Sequence, residues 1–327
     1  MDLATTYLGI RLPHPLIVGA GPLGDDLDRV KQLEDAGAAM LVLRSLYEEE
    51  ITGEQMDTFF NVESHNDSFP EAGTFSPEPL AALGPEEYLE HLRRVKAAVG
   101  IPVVASLNGI TPGGWISYAR LCEEAGADAL ELHVYHAASD MTLAAAEVER
   151  RAIEIVRDVK QSLRIPVAVK LAPLLTAFAH FAKSLDDAGA DGLVMFTRFH
   201  KVDIDVDELE VVRSLPLSDS SELTMRLRGA AALSGRVRAS LALTGGVHTG
   251  LDVIKATMAG AHATQLVSAL LLHGPGHLRT VRREVEEWMT EHEWESLGEM
   301  RGNMSLGRLP DPAAYERANF RMALRVT

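Results

Sequence analysis

Lys170 sits inside Ile165-Pro-Val-Ala-Val-Lys-Leu-Ala-Pro173, a run that is otherwise apolar. Lysine is almost never buried without a partner, so a cation at the end of a core strand meets an anion or a polar ligand. Two partners suit it: a bound ligand, or a carboxylate on a neighbouring strand such as Glu131. Arg44 holds a similar place in Met40-Leu-Val-Leu-Arg-Ser-Leu46. Its rigid fork of donors matches a planar acceptor such as a carboxylate, and an ion pair with Glu48, Glu49 or Glu50 is the structural alternative. His133 and His136 flank Tyr135 in Glu131-Leu-His-Val-Tyr-His136. Histidine is the side chain best placed for proton transfer near neutral pH. A spacing of three puts the two histidines on opposite faces of a continued strand, which places His136 in the loop beyond it. Asn108 closes another apolar run and suits either a ring carbonyl or the cap of a turn. No HExxH or comparable set accompanies these residues, so no metal centre is expected.

A second kind of chemistry belongs to Leu241-Ala-Leu-Thr-Gly-Gly246 and to the run His262-Ala-Thr-Gln-Leu-Val-Ser268. The first is an apolar strand ending in two glycines; the second ends at a small hydroxyl residue. Glycine lets backbone N–H groups approach phosphate oxygens, and a helix N-terminus adds a favourable dipole. In (βα)8 barrels the loops after strands 7 and 8 commonly form such a phosphate site. The pattern points to a phosphorylated cofactor or substrate; an ordinary strand-to-helix turn is the bland alternative.

The elements that carry these residues are marked by a short repeat. Asp35-Ala-Gly-Ala38, Glu124-Ala-Gly-Ala127, Asp187-Ala-Gly-Ala190 and Met258-Ala-Gly-Ala261 each close an amphipathic helix and precede an apolar strand. The glycine fits the left-handed residue that ends a helix. Strands alternating with helices imply parallel βαβ units. Eight strands are expected, over 16–20, 40–46, 102–108, 129–135, 166–172, 192–197, 241–244 and 264–270. Several are apolar on both faces, as in a covered parallel sheet. The expected fold is therefore α/β, a (βα)8 TIM barrel in one domain of 1–327, with 305–327 as a C-terminal extension. An open doubly wound sheet is the rival, and it lacks a GxGxxG after its first strand. Long excursions over 47–83 and 199–228 leave strand ends where barrel enzymes keep their chemistry.

Composition narrows the function classes. The 327 residues carry a net charge of −16 with no basic stripe, which argues against nucleic acid or an anionic membrane as partner. The single cysteine, Cys122, lies in a helical pattern and reads as a core residue, and a disulfide framework is excluded. No leader-like segment or long apolar run occurs, so a cytoplasmic protein is expected.

Together these pieces resemble the dihydroorotate dehydrogenase family, the FMN-containing (βα)8 oxidoreductases. The resemblance runs from Thr6-Tyr-Leu-Gly-Ile-Arg-Leu-Pro-His-Pro-Leu16, which reads as an N-terminal hairpin, to about Ser305. Gly19-Ala-Gly21 is similar to the family's small-residue turn beneath the flavin, Val169-Lys-Leu171 to its lysine strand, and Thr244-Gly-Gly246 with Ser268 to its phosphate clamp. Gly229-Ala230 resembles a second glycine turn near that clamp, and Arg44 stands where the family usually carries a lysine. The resemblance implies FMN as cofactor, held by Ala20, Gly21, Arg44, Asn108, His133, Lys170, Gly229, Gly245, Gly246 and Ser268. It also implies a small-molecule substrate, a homodimer and, as in some members, an electron-transfer partner protein. Lys170 would tune the flavin, His136 or Tyr135 would act as the base, and Arg44 would assist the flavin or an anionic substrate.

Departures from the family pattern bear on the substrate. Where the family carries a cysteine or serine base flanked by asparagines, this chain reads His133-Val-Tyr-His-Ala-Ala138, which puts His136 at the base position. A further ring-binding asparagine aligns near Ala82, Val194-Met-Phe-Thr-Arg198 lacks the asparagines of the sixth strand, and Val267 replaces a glycine beside the phosphate. Such losses weaken a site built to hydrogen-bond a polar ring. The expected function is an FMN-dependent oxidoreductase acting on another small molecule. A genuine dihydroorotate dehydrogenase of pyrimidine biosynthesis and a flavin-free barrel subunit are the alternatives.

Overall fold

The computed structural model describes residues 1–51, 84–111, 113, 115–134, 140–198, 203–212 and 216–325. The chain opens with a hairpin, β1 (Thr5–Tyr7) against β2 (Ile10–Leu12). Six parallel strands follow: β3 (Leu16–Val18), β4 (Leu41–Tyr47), β5 (Val103–Asn108), β6 (Ala129–His133), β7 (Val167–Leu171) and β8 (Gly192–Met195). A two-stranded ribbon, β9 (Asp203–Asp205) with β10 (Glu210–Val212), stands apart from them. The last two strands, β11 (Ser240–Thr244) and β12 (Ala263–Leu266), close the set into an eight-stranded barrel, since β12 pairs with β3. The expected (βα)8 barrel with its N-terminal hairpin is the fold observed.

The four Ala-Gly-Ala repeats end their helices identically. Gly37, Gly126, Gly189 and Gly260 have φ of 92°, 97°, 105° and 120°. Each glycine N–H bonds back three residues and the following alanine N–H bonds back five, as at Ala38 to Leu33 and Ala127 to Cys122. This is the Schellman geometry, which a residue with a Cβ enters only at a cost. The helices concerned are α1 (Leu27–Asp35), α4 (Trp115–Glu124), α6 (Phe178–Asp187) and α8 (Gly250–Ala259). Between α1 and α4 lie α2 (Glu48–Ile51) and α3 (Pro85–Ala98); α5 (Ala145–Ser162) and α7 (Leu223–Leu233) complete the run before α8. Cys122 is fully buried in α4, and burial pushes its thiol up to about 12, as befits an inert core group.

Two apolar layers result. The larger packs helices on the outer strand faces; the smaller fills the lumen with Ile17, Val42, Val104, Ala129, Ala168, Val194, Ala242 and Ala263. Tyr7, Leu8 and Leu12 of the hairpin plug the N-terminal end of that lumen. Gly192 leaves room for the plug, because a Cβ there would lie 2.5 Å from Leu8 Cδ2. The polar residues of the lumen are thereby confined to the C-terminal end.

Strands end within two residues of expectation except for the eighth; that boundary and one loop end differ by more. The eighth strand ends at Leu266, and Ser268 starts α9 (Ser268–His273) instead of continuing the strand to 270. The excursion after the sixth strand ends at Glu222, because α7 begins at Leu223 and buries Leu223, Arg226, Gly229, Ala230 and Leu233 along one face. That helical stripe includes an arginine and a glycine, which masked it in the sequence. The chain continues with α10 (His277–Glu291), α11 (Leu297–Met300) and α12 (Pro312–Ala323); α12 buries no residue and is tied to α7 by the ion pair of Glu316 with Arg228. Among the described residues no helix is long and apolar enough to cross a membrane.

Candidate active site

Glu131 stands at the axis of the barrel. Lys170 Nζ donates to one of its carboxylate oxygens at 2.8 Å, and Gln265 Nε2 donates to the other at 2.6 Å. Lys170 comes from the adjacent strand β7 and Gln265 from β12, four places round the barrel and so on the opposite wall. Glu131 and Gln265 are each 1% exposed and Lys170 9%. The three form a polar floor above the apolar lumen. Of the two partners considered for Lys170, the carboxylate of Glu131 is the one present, and Lys170 also lines a cleft above that floor.

The cleft encloses about 560 Å³, within the range of small-molecule sites. Ala20, Gly21, Arg44, His133, Lys170, Gly245, Gly246 and Ser268 all line it, together with Ser45, Tyr47, Thr197, Arg198, Ser218, Thr244, Gln265 and Val267. Asn108 stands behind, its amide 3.1 Å from His133 Nδ1, with Nδ2 as the donating group. That bond leaves the proton of a neutral imidazole on Nε2. Burial, with the Lys170 ammonium adding to it, outweighs Glu131 and pushes His133 down to about 4. His133 is thus neutral near pH 7.

At one end of the cleft Gly245 and Gly246 have φ of 82° and 80°. A Cβ on Gly246 would lie 2.4 Å from the Leu223 backbone nitrogen, and one on Gly245 2.7 Å from the Arg226 guanidinium. Successive amides in this conformation form a concave, anion-binding turn. Ser218 completes it: its N–H donates to Ser268 Oγ at 3.1 Å, and its own Oγ accepts from Gly246 N–H at 3.3 Å. Val267, expected beside the phosphate, points its methyl groups at Gly19 and Gly21, where added Cβ atoms would lie 3.0 Å away. The small residues at 19 and 21 accommodate the bulk at 267.

Several sequence expectations are placed elsewhere. Gly229 is no turn beside the clamp; it lies within α7, where the absence of a Cβ lets the helix approach Phe196 Cζ and Met195 Sδ. Arg44 pairs with Asp25 rather than with Glu48, Glu49 or Glu50. A register irregularity between Val42 and Ser45 turns Ser45 toward Ser106 and leaves Arg44 at the rim, half-exposed. Glu48 instead accepts the N–H of Ile110 at 2.7 Å. Tyr135, His136 and Ala138, and Ala82, lie outside the described residues. Sequence reasoning missed Ser218, Arg198 and Gln265. Gln265 was findable by the logic applied to Lys170, a polar side chain in an apolar strand, and Ser218 by the Ser-rich run that precedes α7.

Two atoms bear on what the cleft holds. Arg198 Nε and Gln265 Oε1 are buried without a hydrogen-bond partner; a third such atom, Asn303 Oδ1, lies outside the cleft. Buried polar atoms are nearly always paired, so an unmet donor and an unmet acceptor at one cleft mark a ligand with both kinds of group. A phosphorylated aromatic ring carrying N–H and carbonyl groups fits them, with its phosphate on the glycine turn. A closed barrel with a two-glycine turn after its seventh strand and a buried lysine near the end of its fifth is laid out as one of the (βα)8 class, whose sites lie at this end of the strands.

The comparisons specify that class. The family model described as dihydroorotate dehydrogenase matches residues 2–289, and the chain belongs to that family of oxidoreductases. It is 27% identical over 92% of its length to the putative dihydroorotate dehydrogenase A (fumarate) of Aeropyrum pernix, covering 97% of that protein. It is 26% identical to the catalytic subunit of dihydroorotate dehydrogenase B (NAD(+)) of Thermoplasma acidophilum, covering 92% of this chain and 98% of the relative. Dihydropyrimidine dehydrogenase (NADP(+)) of Arabidopsis thaliana is 22% identical, across 92% of this chain and 76% of the plant protein.

Proposed function

We propose that the protein is an FMN-dependent oxidoreductase acting on a small molecule other than dihydroorotate. The observation that carries the cofactor is the unmet pair, Arg198 Nε and Gln265 Oε1, in a cleft that ends in the Gly245-Gly246 turn. The Gly245-Gly246 turn holds the phosphate with the hydroxyl of Ser268, whose oxygen accepts from Ser218 N–H and whose proton is left to donate; Gly246 N–H is spent on Ser218, which braces the turn. Gln265 accepts from the ring, and Lys170 favours negative charge on it by electrostatic preorganisation. When bound, FMN supplies a hydride acceptor for a substrate C–H bond. The chain's own task is to orient the substrate, exclude water and take the second proton. His136, with Tyr135 as the other choice, is assigned that base role. Neutral His133 donates from Nε2, and Arg44 attracts a negatively charged substrate group.

The substrate reading rests on the residues that stand where ring-binding asparagines are expected. His133 and the Thr197–Arg198 pair line the cleft instead. A pocket rebuilt from amides to a histidine and an arginine selects a different hydrogen-bonding pattern.

The test is the visible absorption spectrum of freshly purified protein, with acid release of any cofactor. Flavin bands and released FMN are expected, and Gly246→Ala, whose Cβ would meet the Leu223 backbone, is expected to lose the colour together with the geometry of the turn. Orotate should leave the flavin spectrum unperturbed; a clear perturbation would restore dihydroorotate as substrate. Colourless wild-type protein that also ignores added FMN would overturn the cofactor assignment.

A further inference from the structure

Glu131 is the deepest charged group of the cleft floor, and it touches the two side chains that present opposite chemistry to a ligand. Its 1% exposure removes it from direct contact with substrate. Its two oxygens are engaged on opposite walls, by Lys170 at 2.8 Å and by Gln265 at 2.6 Å. Because Gln265 spends its Nε2 on Glu131, its Oε1 is the atom left for a ligand, and that atom has no partner in the protein. An amide anchored in this way cannot turn its nitrogen to the cleft without losing a charge-assisted bond. The same carboxylate also offsets the Lys170 charge at hydrogen-bonding distance, in surroundings far less polar than water.

We propose that Glu131 is a positioning residue: from the barrel axis it fixes the outward atoms of Lys170 and Gln265 and sets how strongly Lys170 favours negative charge on a bound ring. The proposal rests on the FMN reading above. It assigns Gln265 Oε1 as an acceptor for a ring N–H, and it makes the net charge of the floor, one cation against one anion, a determinant of the cofactor's reduction potential.

Replacing Glu131 by Gln keeps the size of the side chain and removes its charge. The amide that replaces it donates to Gln265 in place of accepting, which invites Gln265 to turn its nitrogen to the cleft. Lys170 is then left uncompensated. The reduced ring carries the negative charge, so the reduced form is favoured.

The experiment measures FMN uptake by quenching of flavin fluorescence, and then the potential of the bound flavin by dithionite titration against a reference dye. E131Q is expected to favour the reduced state at least tenfold, a rise of about 30 mV for a two-electron couple, and to bind oxidised FMN at least tenfold more weakly. E131D, which keeps the charge, is expected to hold the potential within threefold of wild type. Equal shifts in both variants, or none in E131Q, would reduce Glu131 to a structural ion-pair partner. Should E131Q fail to fold, the exchange E131Q/Q265E returns one carboxylate to the axis from the opposite wall. Its potential is then expected near that of wild type, and a charge-loss shift there would overturn the proposal. Wild-type protein that takes up no FMN would sink the cofactor reading and this inference with it; uptake with an unmoved E131Q potential sinks this inference alone.

Discussion

At the N-terminal end of the barrel Glu34, Glu123 and Asp186 each accept two successive backbone N–H groups: those of Gly100 and Ile101, of Arg164 and Ile165, and of Arg238 and Ala239. At the C-terminal end Arg198 and Gln265 keep atoms without partners. Both ends use charged and amide side chains, but at the N-terminal end these carboxylates spend their hydrogen bonds on the protein's own backbone. The end that stabilises repeats one device three times, a carboxylate at the end of a helix that catches the entry to a later strand. Asp128 and Asp191 repeat a second device, each accepting a lysine and the first amide of the barrel strand that precedes it in the chain. Among the described residues the other end shows no such repeat; its strands contribute different side chains to one cleft. Size does not separate the two. A hollow of about 780 Å³ at the N-terminal end exceeds the 560 Å³ cleft. Two of its three arginines are already engaged, however: Arg301 donates to Thr5 Oγ and to the Ala261 carbonyl, and Arg238 to the Asp186 carbonyl.

The sharpest way to break this comparison is at the floor of the cleft. Lys170→Met leaves Glu131 buried without its counter-charge and is expected to cost about 3–5 kcal/mol in urea unfolding. The double variant E131L/K170M should recover most of that stability and still bind no FMN. If the double variant were as unstable as the single one, the floor would belong with the structural end of the barrel.

Acid tests both ends at once. His14, at the N-terminal end, accepts the Leu16 N–H on Nδ1, and its burial, with Arg282 adding to it, pushes its pKa down to about 4. His133 is held at about 4 by its own burial and by Lys170. An unfolded histidine titrates near 6.5, so between pH 6.5 and 4 the unfolded chain binds more protons than the native one. Stability is therefore complete above pH 6.5 and falls as the pH drops to 4, by at most roughly 3 kcal/mol for each histidine. The fall of urea midpoints across that window should lessen by one histidine's share in either His14→Gln or His133→Gln, since His262, also held at about 4, still titrates there. Only the second is expected to weaken FMN binding; equal weakening by both would erase the distinction between the ends.

The smallest effect is expected from Glu34→Ala, which removes two partly exposed hydrogen bonds at the stabilising end. A loss of about 1 kcal/mol is expected, with FMN affinity unchanged. A change in FMN affinity would show that the two ends are coupled.

Local chemistry alone determined much of this molecule. The Ala-Gly-Ala repeat specified where helices stop, because a left-handed residue strongly prefers glycine. Apolar runs placed all eight strands, because a strand covered on both faces has no polar positions to spare. Lys170, His133 and the Gly245-Gly246 pair were legible for the converse reason, each breaking an apolar or regular pattern. Tertiary structure decided what adjacency in the chain cannot express. Gln265 meets Glu131 only because the sheet closes and brings opposite walls within a hydrogen bond. Arg44 meets Asp25 only because a register irregularity turns it to the rim, and Ser218 reaches the glycine turn from a different strand's loop. Gly229 resembled a turn by composition, but the burial of one face of α7 made it a helix contact with Phe196. Strand and helix ends follow from neighbours along the chain; the partners of a buried charge follow from which strands the barrel sets face to face.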